Sequence, residues 1–161
     1  TTIFPEFSVF ENCRLCAQAS HARPWAWWQS ASACEVTGRI ARDALAAAGL
    51  ADVSGRSAGS LSHGGKRQLE IAMCLATEPK VLLLDEPLAG MGAEETDRML
   101  QVLQGLKAGH AILLVEHDMD AVFRIAERIT VMVNGEVIAS DAPEAIRRNP
   151  QVQVAYLGDG H

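Results

Sequence analysis

The chain has 161 residues, 48% of them hydrophobic and 21% charged, which is typical of a globular domain long enough to bury a core. Its 14 basic and 20 acidic residues give a net charge of −6, which argues against nucleic acid as the principal partner. The longest apolar stretches have the length of strands and fall far short of the roughly 20 residues that a membrane-spanning helix needs.

The first third of the chain predicts helices joined by loops. Ser8 followed by Glu11 has the spacing of a capping box and predicts a helix through about Ser20. A second apolar pattern of helical period begins at Glu35 and ends at Gly49. Residues 21–34, which contain three tryptophans, and residues 51–60 are predicted to be loops.

Cys13 and Cys16 form a C-x-x-C pair inside the first predicted helix. Such a pair is compatible with half a zinc site or with a redox pair. The sequence has no second C-x-x-C or histidine pair to complete a metal site. Reduced thiols are therefore the favoured interpretation.

From residue 61 onward the pattern changes to alternating helices and strands. Two buried strands are predicted, 81–84 and 111–115, and polar residues directly follow each of them. Between them a helix is predicted from Ala93 to about Lys107, with Met99, Leu103 and Leu106 facing inward. The carboxyl ends of parallel strands are where nucleotide sites form, so this arrangement favours a nucleotide-handling α/β sheet. Later in the chain, Asn134-Gly135 lies between two β-forming runs and predicts a two-residue hairpin.

The polar residues at the strand ends are candidates for phosphate chemistry. Asp85 is placed to bind Mg²⁺, which prefers oxygen ligands, and Glu86 is placed to polarise an attacking water. The same pattern also fits a solvated acidic turn. His117 follows the second strand, where a lone histidine is more often structural, and Asp118 is expected to cap the next helix.

The motif Leu61-Ser62-His63-Gly64-Gly65, the apolar strand ending in Asp85-Glu86, and His117 follow one another in an order that resembles the ATP-binding cassette (ABC) ATPases. The resemblance implies a P-loop NTPase-like α/β fold, in which a parallel sheet lobe is preceded by an α-helical subdomain. On this basis residues 1–60 form the helical subdomain, and residues 61–161 form the C-terminal part of the α/β lobe.

The resemblance also assigns roles to individual residues. Asp85 becomes the Mg²⁺ ligand, Glu86 the catalytic carboxylate, and His117 the switch histidine that contacts the γ-phosphate. The remaining positions would contact ATP held by a second subunit: Leu61, Ser62, Gly64 and Gly65 of the signature, and Ala89, Gly90 and Gly92 of the D-loop. The chain departs from the family pattern in that His63 replaces a glycine, Gly65 a glutamine and Gly92 an aspartate.

The first dozen residues, the Ala89-Gly90-Met91 loop and the closing Asn149-Pro150 are similar to ATPases of branched-chain amino-acid importers. The implied function is an ATP- and Mg²⁺-dependent ATPase that energises import. Its expected partners are a second ATPase subunit and membrane-spanning permease subunits, with no nucleic acid. Its expected location is the cytoplasmic face of the plasma membrane. Phe4, Phe7 and Phe10 are candidates for the surface that docks on the permease, although such aromatics also suit a core.

No G-x-x-x-x-G-K-[ST] phosphate loop occurs in these 161 residues, which predicts that they form a C-terminal portion of such an ATPase. The chain alone is then expected to hydrolyse ATP poorly or not at all, and its incomplete sheet should expose apolar edges. The alternative is a non-catalytic interaction module that completes a partner's ATP site through Ser62 and Gly64.

Overall fold

A computed structural model describes residues 2–20 and 35–157 of the chain. These residues form two compact units, of which the first ends at Val115 and the second begins at Glu116. The loop predicted over residues 21–34 lies outside the described residues. In the part that is described, no helix is both long and apolar enough to cross a membrane.

The first unit begins with three helices that pack on one another: α1 (Val9–Ser20), α2 (Glu35–Ala47) and α3 (His63–Leu75). Short 3-10 turns at Ala51–Val53 and Ala58–Ser60 connect α2 to α3. The predicted cap of α1 is confirmed, since the Ser8 hydroxyl accepts a hydrogen bond from the Glu11 amide at 3.0 Å.

A buried asparagine ties the N-terminal segment to α1. Asn12 Oδ1 accepts from the Phe4 amide at 2.8 Å, and Asn12 Nδ2 donates to the Phe4 and Ser8 carbonyls at 3.0 and 2.9 Å. These bonds hold Phe4 where its ring stacks on that of Phe7, with 5.6 Å between the ring centroids. Both rings remain about half exposed, so these two aromatics are surface residues and not core residues.

The rest of the first unit is a strand–helix–strand arrangement: β1 (Val81–Asp85), α4 (Ala93–Leu106) and β2 (Ala111–Val115). The two strands pair in parallel, with Leu83 opposite Leu113. Helix α4 buries Met99, Leu103 and Leu106, as its sequence pattern predicts. The parallel α/β arrangement expected from the sequence is therefore confirmed.

One face of this strand pair is apolar and exposed. Leu83 is 73% exposed and Leu113 is 60% exposed, and Val81 and Val115 lie on the same face at 54% and 55%. The prediction that both strands are buried is therefore wrong for this face. The physical reason is that, among the described residues, none covers it, whereas Leu82 on the opposite face is buried. The apolar exposure that the structure shows lies on a face of the sheet, and the exposed edges expected from the sequence stay a prediction.

The second unit combines a hairpin with short helices. Helix α5 (Met119–Ile125) precedes strands β3 (Ile129–Val133) and β4 (Glu136–Asp141), and α6 (Pro143–Arg147) and α7 (Pro150–Val152) follow them. The strands are antiparallel, and Asn134 and Gly135 both have positive φ, 51° and 84°, which confirms the predicted two-residue turn. The core of this unit contains Ile129, Val131, Ile146 and Val152.

Candidate functional site

The predicted signature residues form the start of helix α3. Ser62 is the N-cap of this helix, and its hydroxyl accepts a hydrogen bond from the Gly65 amide at 3.1 Å. Gly64 and Gly65 form the first turn, where backbone N–H groups lack helical partners and the helix dipole is positive. Leu61 is half-buried beside them, and a β-carbon on Gly65 would lie 3.3 Å from the Leu61 β-carbon. The predicted signature residues therefore lie together at one helix N-terminus.

A carboxylate from another helix already lies on this first turn. The Ser62 hydroxyl donates to Glu95 Oε1 at 2.7 Å. A β-carbon on Gly64 would lie 2.7 Å from the Glu95 carboxyl carbon and within 3.0 Å of both its oxygens. Gly64 therefore leaves space for an anionic group directly over the helix start, and Glu95 occupies that space.

Sequence reasoning missed Glu95 because it lies 33 positions from Ser62 along the chain. Its local sequence signal is only that of an acidic residue in the first turn of a helix, which the helix dipole explains without any further role. Nothing in the sequence pattern indicates that α4 places this residue against α3.

The predicted D-loop residues meet the signature through His63. His63 Nε2 lies 3.2 Å from the carbonyl oxygen of Ala89, and because a carbonyl only accepts, Nε2 carries the hydrogen in this contact. Gly90 has a φ of +75°, and a β-carbon there would lie 3.4 Å from His63 Nε2. Gly92 is the N-cap of α4 and makes no side-chain cap bond.

Asp85 and Glu86 lie at the carboxyl end of β1, as predicted. Asp85 is the last residue of the strand and is exposed, as is Glu86. Glu86 adopts a φ of 43°, a left-handed conformation that costs energy for a residue with a β-carbon and that often occurs at functional sites. Its amide donates to the Val115 carbonyl at 2.9 Å, which fixes the turn against the end of β2.

His117 belongs to the second unit and is exposed. Its amide donates to Glu116 Oε2 at 3.3 Å. The next residue, Asp118, caps α5 by accepting from the Ala121 amide at 3.1 Å, which confirms the capping role predicted for it. The role of His117 toward a phosphate stays a prediction.

Cys13 and Cys16 of α1 form no disulfide in the structure, and their interpretation as reduced thiols stays a prediction. Burial, with a smaller effect of the neighbouring Cys16, raises the pKa of Cys13 to about 12. Burial also raises the pKa of Cys16. Because the thiolate is the metal ligand and the nucleophile, both shifts disfavour metal binding and redox chemistry at this pair.

Comparison with known protein families places these motifs in context. The model of the ABC transporter family matches residues 1–89. The chain belongs to the ABC transporter family. A second model, of branched-chain amino acid ATP-binding cassette transporters, matches residues 136–161.

The chain is also similar in sequence to individual ABC proteins. The chain is 45% identical over 112 residues to the high-affinity branched-chain amino acid transport ATP-binding protein BraF of Pseudomonas aeruginosa, an alignment that covers 68% of the chain and 44% of BraF. It is 44% identical over 113 residues to LivG of Escherichia coli, which covers 69% of the chain and 44% of LivG. The chain therefore matches less than half the length of these relatives.

Solved structures of ABC cassettes share the fold. The ADP conformation of MJ1267, an ATP-binding cassette of an ABC transporter, superposes with a TM-score of 0.79 at 27% identity, covering 96% of this chain and 64% of that one. A nucleotide-free ATP-binding cassette gives a TM-score of 0.77 at 28% identity, with the same two coverages. The P-loop NTPase-like α/β fold class predicted from the sequence is therefore confirmed.

Proposed function

We propose that this chain is part of the ATP-hydrolysing subunit of an importer of branched-chain amino acids. The observation that carries the proposal is the 45% identity with BraF, together with the match of the branched-chain cassette model to residues 136–161. The first similarity covers most of the chain, and the second covers its C-terminal end. The proposed location follows from this role, at the cytoplasmic face of the plasma membrane.

The end of β1 fits the proposed hydrolytic chemistry. Mg²⁺ bound together with substrate phosphates takes only one or two protein carboxylates, so the exposed Asp85 suits this ion without further acidic ligands. In the proposal Asp85 would hold the Mg²⁺, which would supply neutralisation of phosphate charge, and Glu86 orients the attacking water. His117 contributes a contact to the γ-phosphate.

The proposed role of the signature is to bind the γ-phosphate of an ATP molecule held by a second subunit. Support comes from the geometry of α3, where Ser62 and the Gly64–Gly65 turn present a hydroxyl and helix-start amides to an anion. Leu61 lies beside this turn, and Ala89, Gly90 and Gly92 belong to the segment before α4 that His63 contacts. Cooperation between two ATPase subunits is therefore part of the proposal.

The exposed aromatic pair Phe4–Phe7 supports a docking role toward membrane-spanning permease subunits. Exposed apolar rings in contact with each other are a common mark of a protein interface. Asn12 fixes the backbone below this pair through buried hydrogen bonds, which keeps the surface ordered before a partner binds.

The test is Glu86→Gln in the intact gene product that carries these residues. Without the carboxylate the water is no longer polarised, so ATP turnover should fall by about 10²- to 10⁴-fold while ATP binding is retained. Glu94→Gln is a matched control, since Glu94 is an exposed acidic residue on α4. Equal turnover in the Glu86→Gln variant and the control would refute the catalytic role. ATP-dependent binding to an intact cassette would then favour the non-catalytic alternative.

A further inference from the structure

We propose that Glu95 is an internal competitor for the phosphate at the signature, so that phosphate binds there only when this carboxylate leaves. The inference concerns regulation of the same anion site and rests on the proposed function. It gives Glu95 a role in controlling access to the site, in addition to the roles of Ser62 and Gly64 in binding.

The geometry shows a carboxylate placed as an anionic ligand would be. Glu95 Oε1 accepts from the Ser62 hydroxyl at 2.7 Å, an ordinary distance for an O–H···O hydrogen bond. The same carboxyl group lies over Gly64, with both oxygens within 3.0 Å of the place that a β-carbon would take. The Ser62 hydroxyl and the space above Gly64 are therefore both occupied by one side chain.

The negative charge of Glu95 makes it compete with a phosphate for this site. A phosphate at the start of α3 would use the Ser62 hydroxyl and lie beside the Glu95 carboxylate, and two anions at this separation repel each other. Phosphate binding therefore requires the Glu95 side chain to swing away from the Ser62 hydroxyl. The Glu95 side chain is only partly buried, so part of it already borders solvent.

A second contact keeps the two segments together when Glu95 moves. His63 Nε2 meets the Ala89 carbonyl oxygen at 3.2 Å, so the start of α3 is joined to the segment before α4 independently of the Ser62–Glu95 bond. Ser62 also remains the N-cap through its bond from the Gly65 amide at 3.1 Å. Replacing Glu95 should therefore free the anion site while the start of α3 keeps its conformation.

The experiment titrates inorganic phosphate into the intact gene product at constant ionic strength. It follows the NMR signal of the Gly65 amide, which donates to the Ser62 hydroxyl and therefore reports on this site. Glu95→Gln removes the charge and keeps a hydrogen-bonding group near Ser62, whereas Glu95→Ala removes both. Glu94→Gln, one residue away on the same helix turn, removes an equal charge that does not contact Ser62. Both Glu95 variants should bind phosphate about tenfold more tightly than the unmodified protein, and Glu94→Gln should stay within about twofold.

The proposal is overturned if Glu95→Gln binds phosphate no more tightly than the unmodified protein. It is also overturned if Glu94→Gln tightens binding equally, since net charge alone would then explain the effect, or if the Gly65 signal responds to phosphate in none of the proteins. Failure of the proposed function is a separate result, namely undiminished ATP turnover in Glu86→Gln, and it does not depend on the phosphate titration.

Discussion

Alkaline pH should destabilise the first unit through the buried thiol of Cys13. Burial raises its pKa from 9.0 to about 12 in the folded protein, whereas in the unfolded chain the thiol is solvated. Below about pH 9 the thiol is protonated in both the folded and the unfolded state, and the contribution of its burial to stability is fully retained. Between about pH 9 and 12 the thiol loses its proton only in the unfolded state, so the free energy of unfolding falls by up to about 1.4 kcal/mol per pH unit.

The perturbation that isolates this effect is Cys13→Ala, which has no thiol to ionise. At pH 8 the variant should be less stable than the unmodified protein by about 1–2 kcal/mol, because Cys13 is fully buried and truncation leaves unfilled space. By pH 11 the unmodified protein should have lost about 2–3 kcal/mol through this thiol. The two stability curves should therefore cross between these pH values.

The assay is urea unfolding followed by circular dichroism at intervals from pH 8 to pH 11, with the slope of each transition checked for constancy. Taking the difference between the two proteins cancels the titration of the groups that do not interact with Cys13, and Cys16, which does interact with it, has a variant of its own. Cys16→Ala is the control, and because Cys16 is only half-buried its difference curve should be shallower. A difference between unmodified protein and Cys13→Ala that stays constant across this range would refute the reasoning.

Three further predictions concern stability and solubility. Asn12→Ala should lower the free energy of unfolding by about 2–4 kcal/mol in urea unfolding, since a buried side chain loses three hydrogen bonds. A loss below about 1 kcal/mol would contradict the stabilising role of these bonds. Gly92→Asp should stabilise α4 by about 0.5–1 kcal/mol relative to Gly92→Ala by supplying the missing N-cap acceptor, and equal melting temperatures would contradict this. Leu83→Thr should reduce light scattering by aggregates and lower the free energy of unfolding by less than about 0.5 kcal/mol. The same change at buried Leu82 should lower it markedly, and similar losses in the two variants would contradict the exposure of Leu83.

Features that depend on local sequence were predictable. The Asn134-Gly135 turn and the Asp118 cap both follow from residues a few positions apart, because the relevant hydrogen bonds and backbone angles are themselves local. The helical period of α4 likewise indicated its buried face, including Met99 and Leu103.

Features that depend on packing between distant segments were not predictable. Glu95 reaches Ser62 only because α4 packs on α3, and no periodicity reports the contact between two helix starts. The exposure of Leu83 could not be read from the apolar run of β1 either, since an apolar strand predicts burial on both faces and the actual cover depends on what packs there. The left-handed backbone of Glu86 is likewise imposed by the turn after the strand.

The departures of this chain from the family pattern concentrate where α3 meets the segment before α4. His63 adds a ring that contacts the Ala89 carbonyl, and this ring lies so close to Gly90 that a β-carbon there would be only 3.4 Å away. Gly65 relieves crowding on the other side, because a β-carbon at that position would lie 3.3 Å from the Leu61 side chain and 3.4 Å from the Ser62 hydroxyl. Side chains in direct contact do not contribute additively to stability. Gly65→Gln restores the glutamine of the family pattern and should disturb the Ser62 cap. The disturbance should be larger in the protein with His63, which fixes the start of α3 against the Ala89 segment, than in a His63→Gly background.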